Sequence, residues 1–413
     1  MHRSLLIVGL TTTQLLAPAL CASESAAAPI AVAQAMTLAD AVAAAWVRTP
    51  AAIALPHRQA AADAQARGAS AWTPGPPSIG ITTLNDRLRA GTGRQEWEVE
   101  VATPMWLPGQ RDARRALAQA NQDLLSARAM VRRLELAGQV RDAWWQLATA
   151  RAAVALARRR VEAAQALHAD VERRWQAGDL ARTDANAAGT EVQIAQVEWI
   201  DAQREEGHAQ ARWGALVGGA APAAFAEEAA PPEGVAVDTH PALAAANANV
   251  DAAQARLRVA NHSQREAPEL ALRWVRERGS AAEPYANALG VQLRIPLSSA
   301  PGVGAALSGE RAELAEAEAE RQRLREQLGF NAESAHRDLE SADRTLTLAR
   351  RRAALTADSS ALLTKSFALG ESDLATLLRA RADALLADAA LARQTITRSA
   401  AMSRLHQALG LLP

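Results

Sequence analysis

The chain has 413 residues, and its 45 basic side chains are balanced by 45 acidic ones, so no strong field for nucleic acid or other polyanions is expected. Aromatic residues make up only 3% of the sequence, and much of the apolar 49% is alanine. This composition favours long packed helices over a thick globular core, and we predict a mainly α fold with a small β part.

Residues 1–35 have the features of a secretory signal peptide. His2 and Arg3 precede an apolar stretch that extends from Leu5 to Leu20, and small residues follow it. The cleavage point stays open, as does lipidation of Cys21, which is the only cysteine. No later stretch has roughly 18 consecutive apolar residues, so the sequence predicts no transmembrane helix.

We predict two tandem repeats, residues 36–218 and 237–413, joined by a Pro- and Ala-rich linker at 219–236. Gly178 and Gly370 each break a long helical tract, and they lie 192 positions apart. The same offset aligns further pairs without a gap: Trp175 with Phe367, Asp179 with Glu371, and Gly218 with Gly410. A fixed offset over such a length indicates a duplicated unit.

Each repeat is predicted to open with a helix of moderate length. In the first repeat, Thr37 and Asp40 form a Thr-x-x-Asp cap at its start, and Pro50 and Pro56 interrupt it. In the second repeat the helix begins near Pro241, because proline suits a first helical position.

A pair of strands follows in each repeat, at 77–106 and 268–297. Apolar residues alternate there with polar or small ones, which predicts one apolar and one polar face. The alternation fits a half-buried hairpin on a soluble core as well as a strand pair facing lipid. In the lipid reading, Trp106, Trp274 and Tyr285 suit an aromatic girdle near strand ends. That reading also predicts these lipid-facing residues: Trp97, Val99, Val101, Leu289, Val291 and Leu293.

Four strands per chain cannot close a barrel, and the edges of an open sheet are not tolerated in lipid. Three chains would supply twelve strands, which is within the range of membrane barrels. The lipid reading therefore predicts a homotrimer that contacts outer-membrane lipid through a 12-stranded β-barrel.

Each repeat then holds a long helix, a short break and a return helix about half as long. Small and apolar residues recur at spacings of 3 and 4, as in a coiled coil: Leu117, Ala120, Leu124, Ala127, Val131 and Leu134, then Leu339, Ala342, Leu346, Ala349 and Ala353. The breaks place hairpin tips near 178–182 and 370–373. We expect the opening helices to stack end to end on the return helices, because the long helices would otherwise lack partners.

Residues 36–412 resemble the TolC-type outer-membrane efflux family. The resemblance rests on the tandem unit, the two break motifs and four segments: 36–51, 103–120, 290–302 and 309–324. Two further segments, 140–152 and 177–188, resemble the heavy-metal branch, the outer component of cobalt–zinc–cadmium-type pumps.

The resemblance implies a trimeric channel-tunnel with a β-barrel in the outer membrane and an α-helical barrel in the periplasm. It implies a passive exit duct that docks to a periplasmic adaptor and serves an inner-membrane RND pump, with heavy-metal cations as cargo. Drug efflux or type I protein secretion within the same family stays open. A conduit of this kind needs no cofactor and catalyses no reaction.

The resemblance also assigns roles to the two breaks. Adaptor docking falls on Gly178, Asp179, Leu180, Gly370, Glu371, Ser372 and Asp373, and a periplasmic gate falls on Thr183, Asp184, Phe367, Thr376 and Arg379. The pattern departs from some relatives, because Phe367 lacks a phenol oxygen and Ser372 stands where they have arginine. Thr376 and Arg379 occupy the place of an acidic ring. We hypothesise that Arg379 pairs with Asp184 across hairpins.

No catalytic or metal-binding constellation is present in the sequence. The eight histidines are scattered without ligand spacing, and no nucleophile elbow, P-loop or dinucleotide loop occurs. Two rival classes are a periplasmic adaptor and a structural coiled-coil protein of the envelope. An adaptor would carry one hairpin between lipoyl-like half-motifs, and a coiled-coil protein would leave the alternating strands unexplained.

Overall fold

A computed structural model describes residues 36–88, 91–297 and 302–413. The predicted signal peptide and Cys21 lie outside these ranges. The first half of the described chain contains α1 (Leu38–Val47), α2 (Pro50–Ala69), β1 (Ser78–Asn85), β2 (Gln95–Pro104), α3 (Gln110–Gln176) and α4 (Arg182–Val217). The second half contains a short 3-10 turn (Val237–Thr239), α5 (Pro241–His262), β3 (Glu269–Arg278), β4 (Ala286–Arg294), α6 (Val303–Ala368) and α7 (Leu374–Ala408).

The opening segment is two helices. The predicted cap of α1 is confirmed, because Asp40 N–H donates to the Thr37 hydroxyl and Thr37 N–H donates to the Asp40 carboxylate, both at 3.1 Å. Pro50 starts α2 at its first position, as predicted for a break. The expectation that Pro56 interrupts the helix was wrong, because Pro56 lies inside α2. Much of α2 is exposed, so water can satisfy the carbonyl that loses its helical donor.

In the described residues no single helix is both long and apolar enough to cross a membrane. Helices α1 and α2 have the required length and composition only together, as a pair bent by 62°.

Two long helical hairpins dominate the fold. Helices α3 and α6 have 67 and 66 residues, and their return helices α4 and α7 have 36 and 35. Contacts join α4 to α3, α3 to α7, and α7 to α6, so the layer has α4 and α6 at its flanks. The predicted seams are confirmed: Leu124, Leu134, Ala342, Leu346 and Ala353 are buried, and the other seam positions are half-buried.

The return helices end halfway along their partners, and other helices continue the packing. Gly410 follows α7 with φ 76° and lies so close to the start of α5 that an added Cβ would be 2.6 Å from His240 and Pro241. Gly218 follows α4 with φ 77° and lies against the Arg48 side chain, just before α2. The contacts of α2 and α5 with α3, and of α5 with α6, complete the layer. The expectation of end-to-end stacking is therefore confirmed for α7 and α5.

The four strands form one antiparallel sheet in the order β1-β2-β3-β4. The register places Ile81 opposite Val99, Val99 opposite Trp274, and Trp274 opposite Leu289. One face is therefore largely apolar: Ile79, Ile81, Trp97, Val99, Val101, Leu270, Leu272, Trp274, Leu289, Val291 and Leu293. The same register places Arg276 and Asn287 beside Trp97 at one end of this face. On the other face, Arg273 forms ion pairs with Glu98 and Glu100.

The three aromatic residues expected near strand ends do not share one position. Trp106 follows β2 and Tyr285 precedes β4, whereas Trp274 lies in the middle of β3. The expectation for Trp274 was wrong because β3 continues to Arg278, which the weak sequence pattern did not define.

The main core lies where α1, α3, α4 and the linker meet. Trp144 is fully buried, and its ring centroid is 5.7 Å from that of Trp213 and 5.4 Å from that of Phe225, which meets it edge-on at 86°. Truncating such a buried aromatic typically costs about 3–5 kcal/mol. Phe225 belongs to the linker, so the linker is part of the core.

A buried arginine fastens the linker and the chain end to α3. Arg141 donates to both carboxylate oxygens of Glu228, at 3.0 and 2.6 Å, and the two side chains are only 3% and 9% exposed. Arg141 also donates to the side chain of Gln407 at 2.7 Å and to the Leu411 carbonyl at 3.0 Å. One guanidinium therefore joins three segments that are distant in sequence.

Replacing Arg141 with methionine should lower the free energy of unfolding by about 3–5 kcal/mol, because the Glu228 carboxylate would stay buried without its partner. The control is Arg132→Met, which removes an exposed ion pair with Glu135 and should cost less than about 1 kcal/mol. Urea denaturation of the purified proteins measures both. Equal midpoints for the two variants would contradict this reading of the pair.

Candidate functional site

Both long hairpins turn at a glycine. Gly178 and Gly370 have φ of 85° and 73°, the left-handed region that favours glycine. Beyond them, Asp179 N–H donates to the Arg174 carbonyl at 2.8 Å, and Glu371 N–H donates to the Ser366 carbonyl at 2.9 Å. These bonds satisfy the last carbonyls of α3 and α6, so the two tips use the same turn.

The return helices are capped differently. At the second tip, Asp373 precedes α7 and its carboxylate accepts the Thr376 N–H at 2.6 Å. At the first tip Ala181 takes that place, and the Asp184 carboxylate reaches back to the Ala181 N–H at 3.2 Å. The 192-residue offset aligns Ala181 with Asp373 and Asp184 with Thr376. A capping box has two hydrogen bonds, one to the side chain just before the helix and one to the side chain three residues later. The second tip has the first of these bonds, and the first tip has the second.

The tips present fixed negative charge. The pKa of the Asp373 carboxyl is lowered, chiefly by hydrogen bonds from the backbone and side chain of Thr376, with a smaller effect from the Arg379 charge. Asp373 stays ionised at any pH above about 4, which is near the ordinary value for aspartate. Asp179 and Glu371 are exposed beside the turns. Acidic groups at the starts of α4 and α7 also complement the helix dipoles.

The two tips of one chain are packed together. A small core joins them: Leu167, Val171, Ala185, Ala188, Phe367, Leu374 and Leu377. The Arg174 guanidinium lies 4.7 Å from the ring centroid of Phe367 and donates to the Phe367 carbonyl at 3.3 Å. Arg174 was missed by the sequence analysis, because an arginine on a long charged helix carries no local signal of a contact with the second tip.

The residues assigned to the gate occupy different environments. Thr183 and Arg379 are exposed, whereas Phe367 is only 5% exposed inside the core between the tips. Asp184 caps α4, and no ion pair joins it to Arg379 within the part of the chain that the structure describes. Thr376 donates its N–H to Asp373. The pairing of Arg379 with Asp184 is therefore absent inside this chain and stays a hypothesis for neighbouring chains.

The residues assigned to docking lie around the two turns. Gly178, Asp179, Gly370, Glu371 and Asp373 are exposed. Two more are half-buried: Leu180, which packs on the core between the tips, and Ser372. These positions form one continuous end of the helical layer, because the two tips are in contact.

The first tip also has a polar cleft of about 530 Å³ between α3 and α4. Its lining includes His168, Glu172, Arg182, Asn186 and Gln193. The offset places leucines at three of the corresponding positions of the second hairpin: Leu374, Leu378 and Leu385. The two tips therefore share a turn but offer different chemistry to a partner.

The described ranges contain no group of three or more His, Cys, Asp or Glu side chains that could hold a metal ion.

A small sheet with one largely apolar face, continued by two long hairpins with glycine tips, is a fold that this chain shares with solved structures of outer-membrane channels. The outer-membrane protein VceC of Vibrio cholerae has a similar structure, with a TM-score of 0.73 at 16% identity over 90% of this chain and 96% of VceC. The open state of the MtrE outer-membrane channel of Neisseria gonorrhoeae gives 0.72 at 16%, over 91% and 89%.

A third similar structure is the CmeC outer-membrane channel of Campylobacter jejuni, with a TM-score of 0.71 at 13% identity over 90% of this chain and 85% of CmeC. No protein-family profile matches the sequence, and the curated proteins contain no significant match. At these identities the likeness shows the fold.

Gly178→Ala and Gly370→Ala should each destabilise their turn by about 1–2 kcal/mol, because a Cβ disfavours the left-handed backbone even where space is open. Gly329→Ala is the matched control, since Gly329 lies inside α6 with no heavy atom near the added Cβ, and alanine should stabilise that helix slightly. Amide hydrogen exchange at the tips should rise roughly tenfold in the first two variants only. Unchanged exchange there would show that the turns do not need glycine.

Proposed function

We propose that the protein is the outer-membrane channel of a tripartite RND-type efflux pump, a passive exit duct formed by a homotrimer. The supporting observation is one arrangement: a four-stranded sheet with a one-sided apolar face is continuous with two hairpins whose tips meet at the far end. The likeness to outer-membrane channels over about nine-tenths of the chain supports the same assignment.

Closure of the sheet requires more than one chain. β1 and β4 are the two edges, and each has an outer side that no strand of the described chain pairs with. Unpaired edges are excluded from lipid, so β4 of one copy would pair with β1 of the next. Three copies give the twelve-stranded barrel, with the apolar face that contains Trp97, Val99 and Leu289 toward lipid.

The helical layer also has two flanks whose apolar residues lack a packing partner among the described helices. On the flank formed by α6, leucines recur every seven residues and are 57–75% exposed: Leu348, Leu355, Leu362 and Leu369. On the opposite flank, α4 exposes Ile194, Val197 and Ile200. At 1.5 Å per residue from the tips, Leu355 lies at about 20 Å and Val197 at about 22 Å. The two flanks therefore match in height, and α6 of one copy would pack on α4 of the next.

Cysteines at Leu355 and Val197, in a background without Cys21, should therefore form a disulfide between chains. We expect oxidation to give covalent dimers and trimers on a denaturing gel. The control pair is Leu355→Cys with Val47→Cys, because Val47 is similarly exposed but lies on α1, beside the end of α4 that is farthest from the tips. A monomer by native mass spectrometry would overturn the trimer. A trimer without the cross-link would overturn only the α4–α6 contact.

The paired tips are the proposed docking end for a periplasmic adaptor. The exposed carboxylates of Asp179, Glu371 and Asp373 suit an adaptor with basic side chains, and the polar cleft beside the first tip would distinguish the two hairpins. The gate is proposed one turn inside, at Thr183 and Asp184. If Asp184 pairs with Arg379 of a neighbouring chain, Asp184→Ala should change single-channel conductance, and an unchanged conductance would remove the pairing.

The proposed cargo is heavy-metal cations. This assignment rests on the resemblance of 140–152 and 177–188 to the heavy-metal branch. Deleting the gene should lower tolerance to zinc, cadmium and cobalt, and the intact gene should restore it. Lower tolerance to drugs alone would overturn the proposed metal cargo but not the proposed channel. A protein that stays soluble after cell fractionation would overturn the channel itself.

A further inference from the structure

His240 caps the helix that follows it with its imidazole ring. Nδ1 accepts the Ala242 N–H at 3.0 Å, and the His240 carbonyl accepts the N–H groups of Leu243 and Ala244 at 2.9 and 3.0 Å. Pro241 has no N–H, so Ala242 carries the first free donor of α5. His240 is only 5% exposed, so water cannot easily replace the ring in this cap.

The same ring lies against the end of α7. Gly410 passes so close that an added Cβ would be 2.6 Å from the His240 ring. The backbone of Gln407, in the last turn of α7, lies close enough to the ring to raise its pKa. One side chain therefore connects the end of the second hairpin to the helix that leads into β3.

This geometry requires a neutral imidazole. If Nδ1 accepts a hydrogen bond, the single proton of the neutral ring is on Nε2. A second proton on Nδ1 would face the Ala242 N–H and would place a positive charge at the positive end of the α5 dipole. Burial lowers the pKa of His240, and the Gln407 backbone opposes this effect only in part.

No carboxylate of the described residues forms an ion pair with His240. Seven charged residues line the same cavity: Glu135, Arg141, Asp142, Glu205, Arg212, Asp338 and Arg404. The carboxylate of Glu228 forms an ion pair with Arg141, and Asp238, two residues before His240, forms one with Arg325. His406 of α7 uses its Nδ1 on the Met402 carbonyl.

We propose that His240 makes the junction between α7 and α5 sensitive to acid, so that protonation opens this junction and loosens the end of α7 from the start of α5. The corresponding junction of the first repeat uses Arg48 against Gly218 and contains no histidine cap. Acid would therefore loosen one repeat of the chain and leave the other unchanged. The inference concerns the fold of the single chain and does not depend on the proposed cargo.

The direction follows from linkage. The neutral ring contributes its full stability above about pH 6.5, the ordinary value for histidine. Below that pH the His240 ring binds a proton when the junction is open, whereas its lowered pKa keeps it neutral when the junction is closed. The opening constant then rises up to tenfold per pH unit until the lowered pKa of the closed form is reached.

The test is amide hydrogen exchange of the purified full-length protein at about pH 7.5 and about pH 5.5, corrected for intrinsic rates. Exchange at 242–244 should increase up to tenfold at the lower pH, whereas exchange at 51–54, the first turn of α2, should not change. His240→Asn keeps a capping side chain that does not titrate, so the pH response should disappear while the helix stays capped. His336→Asn, at an exposed position of α6, should respond like the parent protein.

A pH response that persists in His240→Asn, or that is equally large at 51–54, would overturn the proposal. Exchange at the histidine C2 position gives a second measurement that needs no variant, because it reports the pKa of each ring. We expect a lower pKa and slower exchange for His240 than for exposed His336. Equal values for the two would overturn the neutral cap directly.

Discussion

The length difference between the long helices and their return helices is the constraint on which the rest of the structure depends. A helix of 67 residues cannot be covered by one of 36, so each hairpin needs a second helix to continue its packing. The two joints that result lie at Gly218 and Gly410, where the chain leaves one helix and another begins. The tryptophan core, the linker with Phe225 and the Arg141 pair with Glu228 all lie around this level of the layer.

The repeats keep the same geometry with different side chains. Both tips have a left-handed glycine, because a Cβ makes that backbone costly for most other residues. The return helix can be capped by the side chain just before it or by the side chain three residues later. The second tip uses Asp373 in the first way, and the first tip uses Asp184 in the second way. Positions that only satisfy a hydrogen bond can therefore diverge after duplication, whereas positions that fix the backbone direction cannot.

Periodicity and breakers were enough to predict the hairpins, both seams, the cap at Thr37 and the alternation of the sheet. These signals are local, since each depends on residues within a few turns or strands. Pro56 was misjudged because an exposed helix tolerates a lost hydrogen bond. Arg174 and Arg141 were not predicted, because each contacts residues far away in sequence. His240 was not predicted, because histidine is an unusual helix cap and its contact with Gly410 is also distant in sequence. The arginine at 141 among apolar residues was the available local signal, and the segment 140–152 proves to be part of the core.

The exposed leucines of α6 have a consequence for the lifetime of a newly made chain. Hairpins with local contacts fold quickly. In the proposed trimer, the leucine flank and both sheet edges would be covered only by other copies of the chain. Until it meets them, a single copy offers an apolar seam and unpaired backbone to any neighbour, which is the usual route to aggregation. In the proposed trimer, correct assembly would therefore compete with incorrect association. Shielding the α6 flank and the β4 edge until the copies meet would raise the share of the protein that assembles.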